Sequence, residues 1–115
     1  MLKIRMEQME AFQRDAAQRL EQRALVHVTE FFPEDIARLG DAGAKEFVRD
    51  GISRAHAFEF FEEADVYKFI DLLITMGSDF DVKFNWAKQI LGERESSPED
   101  RMKRLLACAD AELRS

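Results

Sequence analysis

The chain has few of the residues that a disulfide scaffold, a metal site or a membrane segment requires. It contains one cysteine, two prolines, two histidines and five glycines that are isolated from one another. Cys108 cannot pair within the chain, so we expect a reducing compartment, no disulfide and no thiolate metal site. No long apolar run has the character of a signal peptide or a membrane helix, and we therefore expect a cytoplasmic protein with no membrane partner.

Acidic residues outnumber basic ones, 23 to 17. The formal net charge is −6 and the isoelectric point is about 5.0. The basic residues are interleaved with acids and form no patch, which disfavours binding to a phosphate backbone. The separated glycines form no phosphate-binding loop. We therefore expect no nucleic acid among the partners.

The titratable residues form no catalytic or metal-binding motif. His27 and His56 are predicted in separate helices, without a nucleophile or a metal-ligand partner at a recognisable spacing. Asp79 and Asp81 flank Phe80, but this stretch lacks the alternating acids, central glycine and terminal glutamate of a calcium loop. We interpret it as an acidic turn before a helix. The expectation is no catalytic residue, no metal and no cofactor.

Hydrophobic residues recur at steps of three and four, which is the period of a helix. The first helix is predicted over about residues 5–32, where Pro33 ends it. Gly40 closes a short helical turn, and a second long helix is predicted over about residues 42–58. Gly51 inside that helix indicates a close contact with another helix. The core-facing positions of the first helix are Met9, Phe12, Ala16, Leu20, Ala24, His27, Val28 and Phe31.

The middle of the chain predicts a turn near Glu59 and a third long helix that begins near Glu62. This helix is apolar over a wide arc. A loop at about residues 77–85 precedes a short helix at about residues 86–91, which Gly92 stops. The solvent side of the third helix is marked by Asp65, Lys68, Asp71 and Thr75.

The last helix has the clearest start signal. Ser97 is placed to cap it, Pro98 suits its first position, and Glu99 and Asp100 favour the positive end of the helix dipole. No stretch alternates apolar and polar residues for long enough to predict a strand. We therefore predict an all-α fold: a single compact bundle of four main helices plus one or two short helices, in one domain over residues 1–115.

Aromatic residues are the one compositional feature that suggests a function. The chain has ten phenylalanines, and a small bundle has few fully buried positions. Neighbouring rings such as Phe60 and Phe61 point in different directions, so one of the two is expected at the surface. Exposed aromatics beside acids are common in protein interfaces, although core packing is the alternative for each ring. The predicted binding set is Phe58, Phe60, Phe61, Asp79, Phe80, Asp81 and Trp86.

A series of patterned positions extends through nearly the whole chain. Its members are Ile4-Arg5, Phe12, Phe31-Phe32-Pro33, Gly51-Ile52, Arg54-Ala55, Asp65-Val66, Asp71-Leu72, Gly77, Asp79-Phe80-Asp81, Trp86-Ala87, Ile90-Leu91 and Arg101-Met102. This pattern resembles a family of short helical bacterial proteins associated with type VI secretion gene neighbourhoods, which usually has a glycine where this chain has Glu59. The resemblance implies an adaptor or chaperone-like role for a secreted effector or the spike that carries it, and it supplies no catalytic residue.

Three functions follow as hypotheses. The leading one is a non-enzymatic accessory protein that binds an effector or spike component. The second is an immunity protein whose acidic side chains enter the basic cleft of a toxin. The third is an enzyme whose site assembles only in a complex or homo-oligomer. The sequence leaves the oligomeric state open, because an apolar helix face can pair with a copy of itself as readily as with a different protein. The acids proposed for the immunity role are Glu59, Glu62, Glu63, Asp79 and Asp81.

Overall fold

Helices account for all the regular structure in the part of the chain that the structure describes. The structure is a computed structural model, which describes the backbone of residues 2–115 and the side chains of residues 13–115. Its helices are α1 (Leu2–Phe31), α2 (Pro33–Ala57), α3 (Glu63–Met76), α4 (Phe80–Lys83), α5 (Asn85–Gly92) and α6 (Pro98–Arg114). The all-α prediction is therefore confirmed. Over these residues, none of the helices has the length and apolar character needed to cross a membrane.

The chain divides into two compact units, and the boundary between them falls within α2. The first unit is Met1–Val48 and the second unit is Arg49–Ser115. All residues of the predicted binding set belong to the second unit. A single domain over residues 1–115 stays a prediction.

Pro33 and Gly40 interrupt the helices where the sequence predicted. Phe32 separates α1 from α2, and Pro33 takes the first position of α2, where its missing N–H leaves no bond unmade. Gly40 has φ 74° and ψ 171°, so the helical geometry of α2 breaks there. Residues with a side chain rarely adopt a positive φ, which explains why glycine occupies this position.

The predicted core face of α1 is buried only in part. Ala24 and Val28 have no exposed surface, whereas Ala16 is exposed and Phe31 is 62% exposed. The core assignments of Ala16 and Phe31 are therefore wrong. Phe31 is the last residue of α1, where its ring lies 5.0 Å from that of His27, one turn back. The side chains of Met9 and Phe12 lie outside the described residues.

The core of the second unit is built around Phe69 of α3. The centroid of its ring lies 6.0 Å from that of Phe60 and 5.6 Å from that of Phe80, and all three side chains are fully buried. Within this unit α3 packs against α6 and α4, while α5 packs against α4 and α6. Other buried apolar side chains are Val66, Ile70, Leu72, Leu73, Ala87, Ile90, Leu91, Met102, Leu105 and Ala109.

Gly51 makes the close helix contact that its position predicted. A Cβ atom at this residue would lie 2.9 Å from Cγ1 of Ile70 and 3.3 Å from Cδ1 of Leu73. The backbone of α2 therefore approaches α3 more closely than a residue with a side chain at position 51 would allow. The packing in this contact offsets the low helix propensity of glycine.

The stretch predicted as a loop at residues 77–85 contains one turn of helix, α4 (Phe80–Lys83). Phe84 N–H donates to the carbonyl of Phe80 at 3.2 Å and closes this turn. A segment of four residues is too short to show the apolar period that predicts a helix. The ring of Phe80, the first residue of this turn, is buried in the core.

The start of α6 agrees with the prediction. Ser97 Oγ accepts a hydrogen bond from the backbone N–H of Asp100 at 3.1 Å, and Pro98 is the first helical residue. The end of α5 at Gly92 was also predicted. Of the predicted apolar face of α6, Met102, Leu105 and Ala109 are buried, whereas Leu106 and Leu113 are exposed.

Replacing Gly51 with alanine should lower the free energy of unfolding by about 1–2 kcal/mol, because overpacking the contact with Ile70 outweighs the better helix propensity of alanine. Gly92→Ala is the matched control, since no atom lies within 4 Å of an added Cβ there. Its free energy of unfolding should stay unchanged or rise by up to about 1 kcal/mol. Urea unfolding followed by circular dichroism measures both. Equal stabilities of the Gly51→Ala variant and the wild type would contradict the close approach.

Candidate protein-binding surface

A Schellman motif, formed by hydrogen bonds of the chain's own backbone, ends α2. Phe60 N–H donates to the carbonyl of Ala55 at 2.9 Å, and Glu59 N–H donates to that of His56 at 2.9 Å. In this motif the residue after the helix end takes a left-handed conformation and is usually glycine. Here that residue is Glu59, with φ 68°. The turn predicted near Glu59 is therefore confirmed, and it holds a strained residue.

Two arginines donate to the carbonyl groups that have no partner in this motif. Arg94 Nη1 donates to the carbonyl of Ala57 at 2.9 Å, and Arg101 Nη1 donates to that of Phe58 at 2.9 Å. The last carbonyls of a helix have no donor within the helix, and its C-terminal end favours positive charge. Arg94 Nη1 also lies 3.0 Å from Glu59 Oε1. Both arginines therefore hold the turn that carries residues 58–61.

Arg101 is fully buried, although it carries a charge. Its Nε donates to the carbonyl of Ser96 at 3.3 Å, and its guanidinium carbon lies 5.0 Å from the centroid of the Phe60 ring. Its Nη2 has no hydrogen-bond partner in the described part of the chain. Burial, followed by the positive charge of Arg94, lowers the pKa of Arg101, and Glu59 partly opposes this. An arginine nonetheless stays protonated at neutral pH.

The turn places Phe61 outside and Phe60 inside. Phe61 is 67% exposed and Phe60 is fully buried, so the prediction that one of these neighbours reaches the surface is confirmed. The ring centroid of Phe61 lies 5.5 Å from that of His56. Phe58 is half-buried, with the guanidinium carbon of Arg94 5.6 Å from its ring centroid. We call the set Phe61, His56, Glu59, Glu62 and Glu63 the Phe61 surface.

A third arginine fixes the segment that contains Asp79, Phe80 and Asp81. Arg54 Nη1 donates to the carbonyl of Ser78 at 2.8 Å, and its Nη2 donates to Asp81 Oδ1 at 2.7 Å. The Asp81 side chain is only 14% exposed. Asp79 is exposed, whereas Phe80 is fully buried.

Trp86 is half-buried beside the same segment. Its ring stacks on Phe84, with the centroids 5.2 Å apart, and its Nε1 donates to Glu112 Oε1 at 3.4 Å. Trp86 thus keeps some surface for a partner but already has neighbours within the chain. The hydrogen bond to Glu112 joins α5 to α6.

The predicted binding set therefore separates by exposure. Phe60 and Phe80 have no exposed surface, so they support the fold and cannot themselves contact a partner. Asp81 is occupied by Arg54. The members with accessible surface are Phe58, Phe61, Asp79 and Trp86, and Phe61 is the most exposed of the aromatic members.

Sequence reasoning gave no role to Arg54, Arg94 or Arg101, because charged residues are mostly solvated. One signal was present for Arg101: Leu105 lies four residues later, so Arg101 shares the apolar face of α6. Asp65 is a correction. It was predicted on the solvent side of α3 but is 9% exposed, because the first turn of α6 lies beside it.

The described residues hold no group of three or more His, Cys, Asp or Glu side chains that could bind a metal ion. Comparisons with protein-family models, with curated proteins and with solved structures gave no match for this chain. The resemblance to proteins of type VI secretion neighbourhoods stays a prediction. Function must therefore be inferred from the surface itself.

Two substitutions at Glu59 isolate the strain in the turn. Glu59→Gly and Glu59→Ala both remove the ion pair with Arg94, but only glycine adopts the positive φ freely. The glycine variant should be more stable than the alanine variant by about 1 kcal/mol, the reverse of their order inside a helix. Thermal or urea unfolding of the pair provides the measurement. Greater stability of the alanine variant would show that Glu59 does not hold the left-handed conformation.

Proposed function

We propose that the chain is a non-catalytic accessory protein, an adaptor or chaperone-like factor, that binds an effector or spike component of type VI secretion. The observation that supports protein binding is Phe61, an aromatic ring that is 67% exposed on a fixed turn. The secretion context is supported by the resemblance of the sequence alone. Protein binding and secretion context are therefore tested separately.

The Phe61 surface has the features of an interface centre. Aromatic side chains contribute a large share of binding energy at interfaces, where they enter pockets of the partner. Arg94 and Arg101 hold the turn before binding, so little conformational entropy is lost when a partner docks. Glu62 and Glu63, the next two residues in the sequence, are exposed as well. A partner with an apolar pocket and a basic rim would complement this surface.

The immunity hypothesis is the second candidate, and the geometry supports it less. It relies on acids free to enter a basic toxin cleft, but Glu59 contacts Arg94 and Asp81 contacts Arg54. Glu63 Oε1 accepts a hydrogen bond from Tyr67 Oη at 2.9 Å. The acids of that hypothesis are therefore partly engaged within the chain, whereas Phe61 is available.

Phe61→Ala should weaken partner binding about 30-fold, because truncating a central aromatic removes roughly 2 kcal/mol of binding free energy. The free energy of unfolding should change by less than about 0.5 kcal/mol, since the ring is exposed. Leu113→Ala is the matched control: Leu113 is 63% exposed on α6. The measurement is co-expression with each product of the neighbouring genes, followed by calorimetry with the one that co-purifies. Unchanged affinity of Phe61→Ala would contradict the proposal.

Deletion of the gene distinguishes the two roles. An adaptor is required for export of its effector, and cells without it should survive but fail to secrete. An immunity protein is required for survival when the toxin is present. The adaptor role would be rejected if expression of this chain relieves growth inhibition by the toxin while export of the effector is unaffected.

A further inference from the structure

A cleft of about 490 Å³ lies between the first turns of α3 and α6. This is many times the roughly 30 Å³ that a water molecule occupies, so the cleft has room for a side chain. It begins one residue after Phe61 in the sequence, and all its residues belong to the second unit. The lining residues are Glu62, Ala64, Asp65, Lys68, Ser97, Pro98 and Glu99.

Asp65 is the unusual member of this lining. Its residue is nine-tenths buried, yet no hydrogen bond or ion pair within the described part of the chain engages its carboxylate. The one fully enclosed side-chain polar atom without a partner in that part of the chain belongs to Arg101, so the Asp65 oxygens retain access to the cleft. This carboxylate can therefore accept a cation or a hydrogen-bond donor that enters the cleft and displaces water.

The charge balance of the cleft favours a cation. Three carboxylates, those of Glu62, Asp65 and Glu99, oppose the single ammonium of Lys68, which gives −3 + 1 = −2. The positive ends of the two helices add about +0.5 each, which leaves about −1. Ser97 already accepts the N–H of Asp100, and Pro98 has no N–H, so the start of α6 offers few donors to an anion.

The cation that fits is extended. The acids do not converge on one point, since no group of three or more candidate ligands that could hold a metal ion occurs among the described residues. A guanidinium presents several donors in one plane and can bind separate carboxylates. It is also more weakly hydrated than an ammonium, which suits the carboxylate of a residue that is nine-tenths buried.

We propose that this cleft binds an arginine side chain of the partner protein, with Asp65 as its main carboxylate. The inference rests on the proposed protein-binding function and adds the chemistry of the partner. Phe61 and Glu62 are adjacent in the sequence, so the partner presents an apolar pocket and an arginine close together. Asp65 gives specificity, because an arginine absent from the partner leaves this carboxylate without a donor.

The test is a titration of the isolated, isotopically labelled protein with N-acetyl-arginine amide, followed by nuclear magnetic resonance. The amide signals of Ala64, Asp65 and Glu99 should shift and saturate, with a dissociation constant on the order of 1–10 mM. N-acetyl-citrulline amide has nearly the same shape without the charge and should cause no saturable shift. N-acetyl-lysine amide should bind more weakly than the arginine compound. Absence of saturation with the arginine probe would overturn the proposal.

Variants assign the binding to the cleft. Asp65→Asn should raise the dissociation constant by about tenfold or more, because it removes the buried charge of the pair. Glu99→Gln, at an exposed rim position, should raise it by a smaller factor and serves as the second variant if Asp65→Asn does not fold. Wild-type affinity in the folded Asp65→Asn protein, or in Glu99→Gln when only that variant folds, would overturn the proposal. Free arginine binding more than about tenfold tighter than its amide would overturn the assignment to a protein side chain.

Phe61→Ala separates this inference from the proposed function, because that variant should bind the arginine probe with wild-type affinity. Arginine binding that depends on Asp65, without any effect of Phe61→Ala on partner capture, would leave the cleft assignment standing and reject the Phe61 surface. Loss of partner capture in Phe61→Ala, with no arginine binding by the wild type, would reject the cleft assignment alone.

Discussion

A buried guanidinium, bonded to backbone carbonyls and to no carboxylate of the described side chains, holds the end of α2. Arg101 bonds to the carbonyls of Phe58 and Ser96 and lies over the ring of Phe60. Removing such a charge from water costs several kcal/mol, which charged hydrogen bonds and the negative end of a helix offset. These partners are backbone groups and a buried ring, so the interaction forms only when the turn at residues 57–60 has its observed shape. Because of that turn, the side chain of Phe60 points into the core and the side chain of Phe61 points to the surface.

The same constraint connects the fold to the proposed binding role. A turn held by Arg94 and Arg101 presents Phe61 without a loop that must become ordered. The cleft beside it begins at Glu62 and places Asp65 between the starts of α3 and α6. An aromatic contact and a cation contact would then share one partner, with affinity from the ring and specificity from the carboxylate.

The sequence predicted the features that depend on local chemistry. Pro33, Gly40 and the Ser97-Pro98 start mark helix boundaries through their own backbone preferences, and Gly51 indicated a close contact through its missing side chain. The burial of Asp65 and Arg101 was not predicted, because it depends on which helices become neighbours. Periodicity assigns a residue to a helix face, but it does not say what covers that face. The candidate site was therefore located by its aromatic residues, whereas the roles of the arginines that shape it were found only in the structure.

The most direct test of this account is the free energy of unfolding of Arg101→Met, compared with Arg104→Met in the same helix. Arg104 is partly exposed and pairs with Glu93 and Asp100, so its loss should cost no more than about 1 kcal/mol. Methionine at position 101 fills similar space but leaves two backbone carbonyls without their donor, and stability should fall by about 2–3 kcal/mol. An Arg101→Met protein as stable as the wild type, or more stable, would contradict the central role of the buried guanidinium.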